Sequence, residues 1–373
     1  MIYYGKQNIN QDDIDAVVDV LKSDYLTQGP KVPEFEASLA KYCNVKFAKA
    51  VSNATAALHL SYLAVGLEKG DILWTSPNTF VSTANAALFC GAEVDFVDTD
   101  PKTFNMSINC LEKKLIQAQQ DNKLPKLVVP VHFAGQSCEM KKIWELSKKY
   151  KFKIIEDASH ALGGSYRGKK IGNCEYSHMS VFSFHPVKMI TTGEGGVITT
   201  NSRALDEKVA LLRTHGIIKK ENKFNNTPHG KWYYEQQALG FNYRLTEIQA
   251  ALGISQLKRL DSFVSKRRKI ANYYLKKLDE SITPFQHPDT NSSWHLFVIQ
   301  IKNRKKIFER LLDEGIQTQV HYIPVTSQPF YNRKNLKNNQ DFYDNCLSLP
   351  IYFDLTEDEC HTVVNCISDD CKN

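Results

Sequence analysis

At 373 residues the chain is too long for one small core, and a typical domain of about 150 residues suggests two. Its 47 basic and 41 acidic residues leave a net charge of +6 distributed along the sequence, which argues against the basic stripe of a nucleic-acid binder and suits an anionic small molecule. No run of about 18 apolar residues is available to span a membrane, Met1 to Lys6 has no signal-peptide core, and a cytoplasmic location is expected.

In chain order, the stretch from Lys49 to Lys153 repeats a short β-branched run, a turn and a helical segment, the pattern of βαβ units around a mostly parallel sheet. Strands are predicted at Lys49 to Ser52, Ile72 to Thr75, Val94 to Val97, Leu127 to Val131 and Lys153 to Glu156. Helices are predicted at Ala54 to Val65, Ser82 to Phe89 and Met140 to Tyr150. Met179 to Phe184 and Val197 to Thr200 read as two further strands that flank a constrained loop. After about Tyr243, Leu245 to Leu260 and Val264 to Leu278 read as long charged amphipathic helices. Strand, helix and strand follow at Trp294 to Ile301, Arg304 to Glu314 and Gln317 to Tyr322, with a last helix from Thr356 to Ile367. The expected fold is therefore α/β: a large domain, 1–250, with a mostly parallel sheet and flanking helices, and a smaller α+β domain, 251–373. The nine cysteines include no C-x-x-C pair, and only Cys360, Cys366 and Cys371 lie close together, so reduced thiols are expected. Eleven histidines contain no H-E-x-x-H, and no metal site is expected.

In open α/β sheets ligands bind beyond the carboxyl ends of the strands, which directs attention to the polar residues found there. Lys188 sits on the loop between the two β-prone runs, between Pro186 and the cluster Gly193, Gly195 and Gly196. A lysine so held can form a Schiff base with a carbonyl compound, pyridoxal phosphate (PLP) being the commonest cofactor that uses one; a solvated surface charge is the plainer alternative. Asp157, at the end of a predicted strand, suits the N–H of a pyridine ring or the cap of a helix. Ser52 to Ala57, where a strand meets a small-residue helix, offers amides to a phosphate or forms an ordinary helix start. Phe80 follows the strand Ile72 to Thr75 and could stack on a ring or belong to the core.

These segments resemble the DegT/DnrJ/EryC1/StrS sugar aminotransferases, fold-type I PLP enzymes that act on nucleotide-linked keto sugars. The resemblance spans nearly the whole chain and rests on seven segments in order: 26–30, 52–58, 156–161, the Lys188 loop, 213–216, 240–247 and 319–324. It implies that Lys188 is the Schiff-base lysine, Asp157 the partner of the pyridine nitrogen, Phe80 the stacking ring, and His160 a neighbour of the phenolic oxygen or ring. It assigns the phosphate to the Thr55 and Ala56 backbone, to Ser183 and to Asn242 of a second subunit, which implies a homodimer with shared sites. Thr27, Arg244, His321 and Tyr322 fall where relatives meet the nucleotide sugar.

Relatives that dehydrate their substrate have histidine in place of this lysine, so Lys188 implies transamination. Residues 159–165, 182–185 and 215–220 resemble the branch that makes pseudaminic acid. That branch aminates C4 of UDP-2-acetamido-2,6-dideoxy-β-L-arabino-hexos-4-ulose, and the family's usual donor is L-glutamate. A D-configured 4-keto or a 3-keto nucleotide sugar is the alternative, followed by a non-catalytic PLP-fold binding protein. The segment 219–237 reads as a mobile loop over the site or a long surface excursion.

Overall fold

Seven short apolar runs form one central sheet: β1 (Phe47–Val51), β2 (Ile72–Thr75), β3 (Glu93–Phe96), β4 (Leu127–Val129), β5 (Lys153–Asp157), β6 (Met179–Ser183) and β7 (Gly196–Thr200). The structure is a computed structural model that describes residues 1–370, so Cys371 and the last two residues of the expected C-terminal domain lie outside the described residues. Across the sheet the order is β1-β7-β6-β5-β4-β2-β3. Neighbours are parallel except at β7, which runs antiparallel to both β1 and β6. The link from β6 to β7 contains no helix, so the chain turns back instead of crossing over, and the resulting loop carries Lys188.

Helices α1 (Gln11–Leu21) and α2 (Lys31–Cys43) precede the sheet. Alternate strand residues then go to opposite faces. Leu73, Val129, Ile155 and Val181 pack with α3 (Ala54–Ala64) and α4 (Ser82–Phe89). Trp74, Val128 and Ile154 pack with α5 (Ile108–Gln120) and α6 (Met140–Tyr150). With both faces covered, the inner strands read as continuous apolar runs, as parallel sheets do. Helix α7 (Arg203–Leu212) follows β7 and closes the α3 side. Gly196 lets the start of α3 press on the sheet: a Cβ there would lie 2.6 Å from the Asn53 carbonyl and 2.8 Å from the Ala54 nitrogen.

The C-terminal part adds α8 (Glu247–Lys258), α9 (Leu260–Lys277), β8 (Phe297–Gln300), α10 (Arg304–Asp313), α11 (Lys337–Asn345), β9 (Cys346–Leu349) and α12 (Glu357–Asp370). Strands β8 and β9 pair antiparallel, and Tyr274, Phe297, Leu311, Leu347 and Val363 form a separate apolar cluster around them. The first residues run with this layer, since Ile2 bridges Ile316 and the Tyr4 carbonyl accepts from the Ile351 amide. The mostly parallel α/β sheet with a further α+β layer is the architecture expected from sequence. Among the described residues no helix is long and apolar enough to cross a membrane.

Three segments differ from expectation. Gln317 to Tyr322 is not a strand: Gln319 makes a single bridge to Ser348, after which His321 gives its side chain to Ser348 Oγ at 2.8 Å and the chain turns away from the sheet. The predicted strand from Trp294 starts only at Phe297. Trp294 has φ +54°, and Arg267 Nη1 draws off the carbonyls of Trp294 and His295 that a ladder would need. The helix expected from Leu245 begins at Glu247, because Thr246 and Gln249 form a reciprocal capping box. The segment 219–237 closes as a small hairpin, Ile217–Ile218 against Glu235–Gln236. The Glu235 carboxylate organises it by accepting from the Asn225 and Asn226 amides at 2.7 and 2.8 Å.

Candidate active site

The ends of β5 and β6, the start of α3 and the chain around residues 295 and 321–322 enclose a cavity of about 520 Å³. Strand alternation decides which carboxylate faces it. Glu156 points away and is taken up by His132 Nε2 at 2.6 Å, by Ser180 and by Ser177. Asp157 points inward, buried and held: Oδ2 accepts from Thr83 Oγ1 at 2.7 Å, and Oδ1 from Ser159 Oγ at 2.6 Å. The Ser159 amide also donates to Asp157 Oδ1, so the side chain shapes the local turn and lines the cavity at once.

Lys188 reaches the same cavity half-buried, with Nζ 3.5 Å from His295 Nε2. Burial pushes its pKa down to about 8, against the opposing pull of Asp157. Three buried imidazoles surround this amine. His160 stands 2.9 Å from the Tyr322 hydroxyl through Nε2, while its Nδ1 is buried with no partner among the described residues. Burial and the nearby Lys188 hold His160 and His295 well below the ordinary histidine range, and His321 is pushed to about 3 for the same reasons. The Tyr322 phenol is raised by burial and by Asp157. All three rings are therefore neutral near pH 7.

At the start of α3, Asn53, Ala54 and Thr55 line the cavity. The Asn53 side chain caps the helix by accepting from the Ala56 amide at 2.8 Å, which leaves the Ala54 and Thr55 amides as first-turn donors without an intrahelical acceptor. Ser183 closes this corner, and Phe80, 58% exposed, stands at the rim.

The residues present fit PLP. Two free helix-start amides and Ser183 suit its phosphate, Asp157 its ring nitrogen, the unpartnered His160 Nδ1 its polar ring edge, and the Lys188 amine its carbonyl. Of the positions singled out by sequence, the cavity gathers Thr55, Phe80, Asp157, His160, Ser183, Lys188, His321 and Tyr322. Ala56 is buried and its amide is already engaged by Asn53, so the helix-start donors here are Ala54 and Thr55. Thr27, Asn242 and Arg244 do not line the cavity of a single chain. Thr27 bridges Thr246, Arg244 bridges Val51, and Asn242 is exposed beside Thr214. Two resemblance segments thus meet each other, with Glu247 accepting from the Lys31 amide at 2.6 Å and the Val32 amide at 3.1 Å at the start of α2. Sequence reading missed His295, Tyr4 and Glu194, which also line the cavity, and took Asn53 only as part of the segment 52–57. Asn53 was legible as the residue before a helix; His295 precedes its strand, where the rule about carboxyl ends gives no signal.

The model of the DegT/DnrJ/EryC1/StrS aminotransferase family matches residues 7–368. The chain is 42% identical over 364 residues to the UDP-4-amino-4,6-dideoxy-N-acetyl-β-L-altrosamine transaminase of Campylobacter jejuni, covering 94% of this chain and 93% of that one. Its fold is similar to that of Helicobacter pylori PseC, an aminotransferase of pseudaminic acid biosynthesis, with TM-score 0.90, 34% identity and coverage of 99% and 98% of the two chains. It is also similar to the PLP form of Spr1654 from Streptococcus pneumoniae, with TM-score 0.87, 26% identity and coverage of 98% and 97%.

Proposed function

The chain belongs to the DegT/DnrJ/EryC1/StrS aminotransferase family, whose enzymes use PLP, and from that premise we propose its reaction in full. It transfers the amino group of L-glutamate to C4 of UDP-2-acetamido-2,6-dideoxy-β-L-arabino-hexos-4-ulose, a step of pseudaminic acid biosynthesis. The observation that carries the aminotransferase chemistry is the Lys188 amine beside the buried Asp157 in one cavity. The choice of sugar is supported by the likeness to the Campylobacter and Helicobacter enzymes.

PLP, when bound, supplies an electron sink for the electron pair left when a C–H bond beside the nitrogen breaks. Lys188 is the residue that links to it, Asp157 keeps a proton on its ring nitrogen, and Ala54, Thr55 and Ser183 hold its phosphate. With a pKa near 8, about a tenth of the freed Lys188 amine is unprotonated at pH 7, far more than for an ordinary lysine. Its Nζ takes the α-proton of the donor in the first half-reaction. Within each half-reaction Nζ takes a proton from one carbon and delivers it to another, the second delivery being to C4 of the sugar, so one group serves as base and then as acid. The neutral His160 and Tyr322 exclude water and orient the ring edge without adding charge.

Asn242, exposed and outside its own cavity, suits a contact with the phosphate in a second copy, and we infer a homodimer with shared sites. Thr27 and Arg244, likewise outside the cavity, and His321 and Tyr322 within it, are the residues proposed to meet the nucleotide sugar. A division into a large domain, 1–250, and a small one, 251–373, is supported by the separate apolar cluster around β8 and β9.

The test combines two readouts on the purified protein. L-Glutamate alone should bleach the visible absorption of the bound cofactor and release 2-oxoglutarate. Adding the UDP-linked keto sugar should then restore the band and yield the 4-amino sugar, identified by NMR. An unbleached spectrum would remove glutamate as donor; bleaching followed by turnover only with a D-configured 4-keto or a 3-keto sugar would replace the substrate and leave the chemistry standing.

A further inference from the structure

Lys188 makes no ion pair among the described residues, although it must carry a positive charge whenever it holds a proton. Its hydrogen-bond partner is His295 Nε2, at 3.5 Å. His295 belongs neither to the sheet nor to the Lys188 loop; it reaches across from the segment before β8. Its backbone is pinned by Arg267, whose Nη1 donates to the His295 carbonyl at 3.1 Å and to the Ile351 carbonyl at 2.7 Å. Its ring packs on His160, with centroids 4.4 Å apart, and is 3% exposed. That is costly placement for an imidazole whose Nδ1 has no partner among the described residues, and a packing role would be filled more simply by an apolar side chain.

The charged and titratable groups that act on the pair are Asp157 and His160 from the β5 end, His321 from the chain after α10, and Arg267 from α9, while Tyr4, His185, Glu194 and Tyr322 line the same cavity. Only Asp157 favours added positive charge on Lys188. Burial, Lys188, His160, Arg267 and His321 all act to keep His295 neutral. A neutral imidazole protonated at Nδ1 presents a lone pair at Nε2, and an ammonium at Nζ can donate to it.

We propose that His295 is the positioning residue for the Lys188 amine, its Nε2 accepting a hydrogen bond from the protonated Nζ and holding the proton carrier in the cavity between uptake and delivery. This rests on the reading of Lys188 as the base. When Nζ takes the proton from the donor carbon it becomes an ammonium in a half-buried, partly desolvated site. His295 supplies the acceptor that a carboxylate would otherwise provide, without the fixed negative charge that would hold Lys188 protonated and idle. The same bond keeps the released side chain from swinging away from the carbon to which it must return the proton.

The test titrates Lys188 itself in the cofactor-free protein, by labelling with trinitrobenzenesulfonate across a pH series and quantifying the Lys188 peptide by mass spectrometry. His295→Leu removes the acceptor at similar volume, and His295→Gln restores an oxygen acceptor at the reach of Nε2. The labelling midpoint should fall by about one pH unit in His295→Leu and return close to wild type in His295→Gln. In the loaded enzyme His295→Leu should lower kcat by about 10- to 100-fold with KM little changed. An unmoved midpoint in a folded His295→Leu, or equal defects in the Leu and Gln variants, would overturn the proposal. Should the Leu variant not fold, His295→Asn, whose amide falls short of the amine, takes its place: it should lower the midpoint where Gln does not, and equal midpoints would overturn the proposal. Turnover by Lys188→Ala would sink the base reading and this inference together. An inactive Lys188→Ala with an unmoved His295 midpoint would sink this inference alone.

Discussion

The two walls of the cavity are made differently. On the sheet side Asp157, Ser183 and the start of α3 stand at the ends of regular elements, and the carboxylate is met on both oxygens by Thr83 and Ser159. On the C-terminal side His295, His321 and Tyr322 come from irregular chain, and where the walls meet, the Nδ1 atoms of His160 and His295 are buried with no partner among the described residues. A wall whose groups are already fixed is preorganised for one ligand that stays, as a cofactor does. A wall built from irregular chain, not held by a ladder or a helix, suits groups that arrive and leave.

Removing the Lys188 amine breaks the sheet wall at its reactive point. Lys188→Ala should lower turnover by about 10³-fold or more, within the usual range for loss of a general base, measured as 4-amino sugar formed per enzyme. A variant within tenfold of wild type would take that role away. Gly196→Ala disturbs the same wall more gently, since the added Cβ meets the Asn53 backbone at 2.6 Å and must displace the start of α3. A loss of about 1–3 kcal/mol in denaturant unfolding is expected, together with faster loss of PLP on dialysis. Normal retention in a destabilised variant would mean that α3 is not the phosphate cradle.

Tyr322→Phe probes the other wall by deleting the hydroxyl that meets His160 Nε2. The expected cost is about 1 kcal/mol in thermal unfolding, with PLP retention unchanged and KM for the sugar raised. Equal damage to PLP retention would erase the distinction between the walls. The last effect concerns acid. His321 is held near pKa 3 against an ordinary 6.5, so between those values the unfolded chain binds more protons than the folded one. Its stabilising contribution is complete above about pH 6.5 and is lost as pH falls toward 3. His321→Asn should flatten the decline of the unfolding midpoint between pH 7 and 4, and an unchanged slope would contradict the account.

The same contrast governs what the sequence disclosed. Asp157 was legible from the rule of carboxyl ends, and Lys188 from a loop bounded by two strands, Pro186 and a glycine cluster, because both signals are set by regular structure next to them. The alternation in Gln317 to Tyr322 imitated a strand, yet the backbone makes one bridge there before the side chains of His321 and Tyr322 turn into the cavity. His295 was invisible because its position depends on Arg267 capturing backbone carbonyls from a distant helix, a tertiary contact with no local pattern. Ala56 failed as an amide donor for a local reason, the Asn53 cap, that the residues 53–56 already contained.

The most direct test of the central claim is borohydride reduction of the PLP-loaded protein followed by peptide mapping. The account predicts one pyridoxyl group, carried by Lys188; a pyridoxyl group on any other lysine, with Lys188 unmodified, would contradict it.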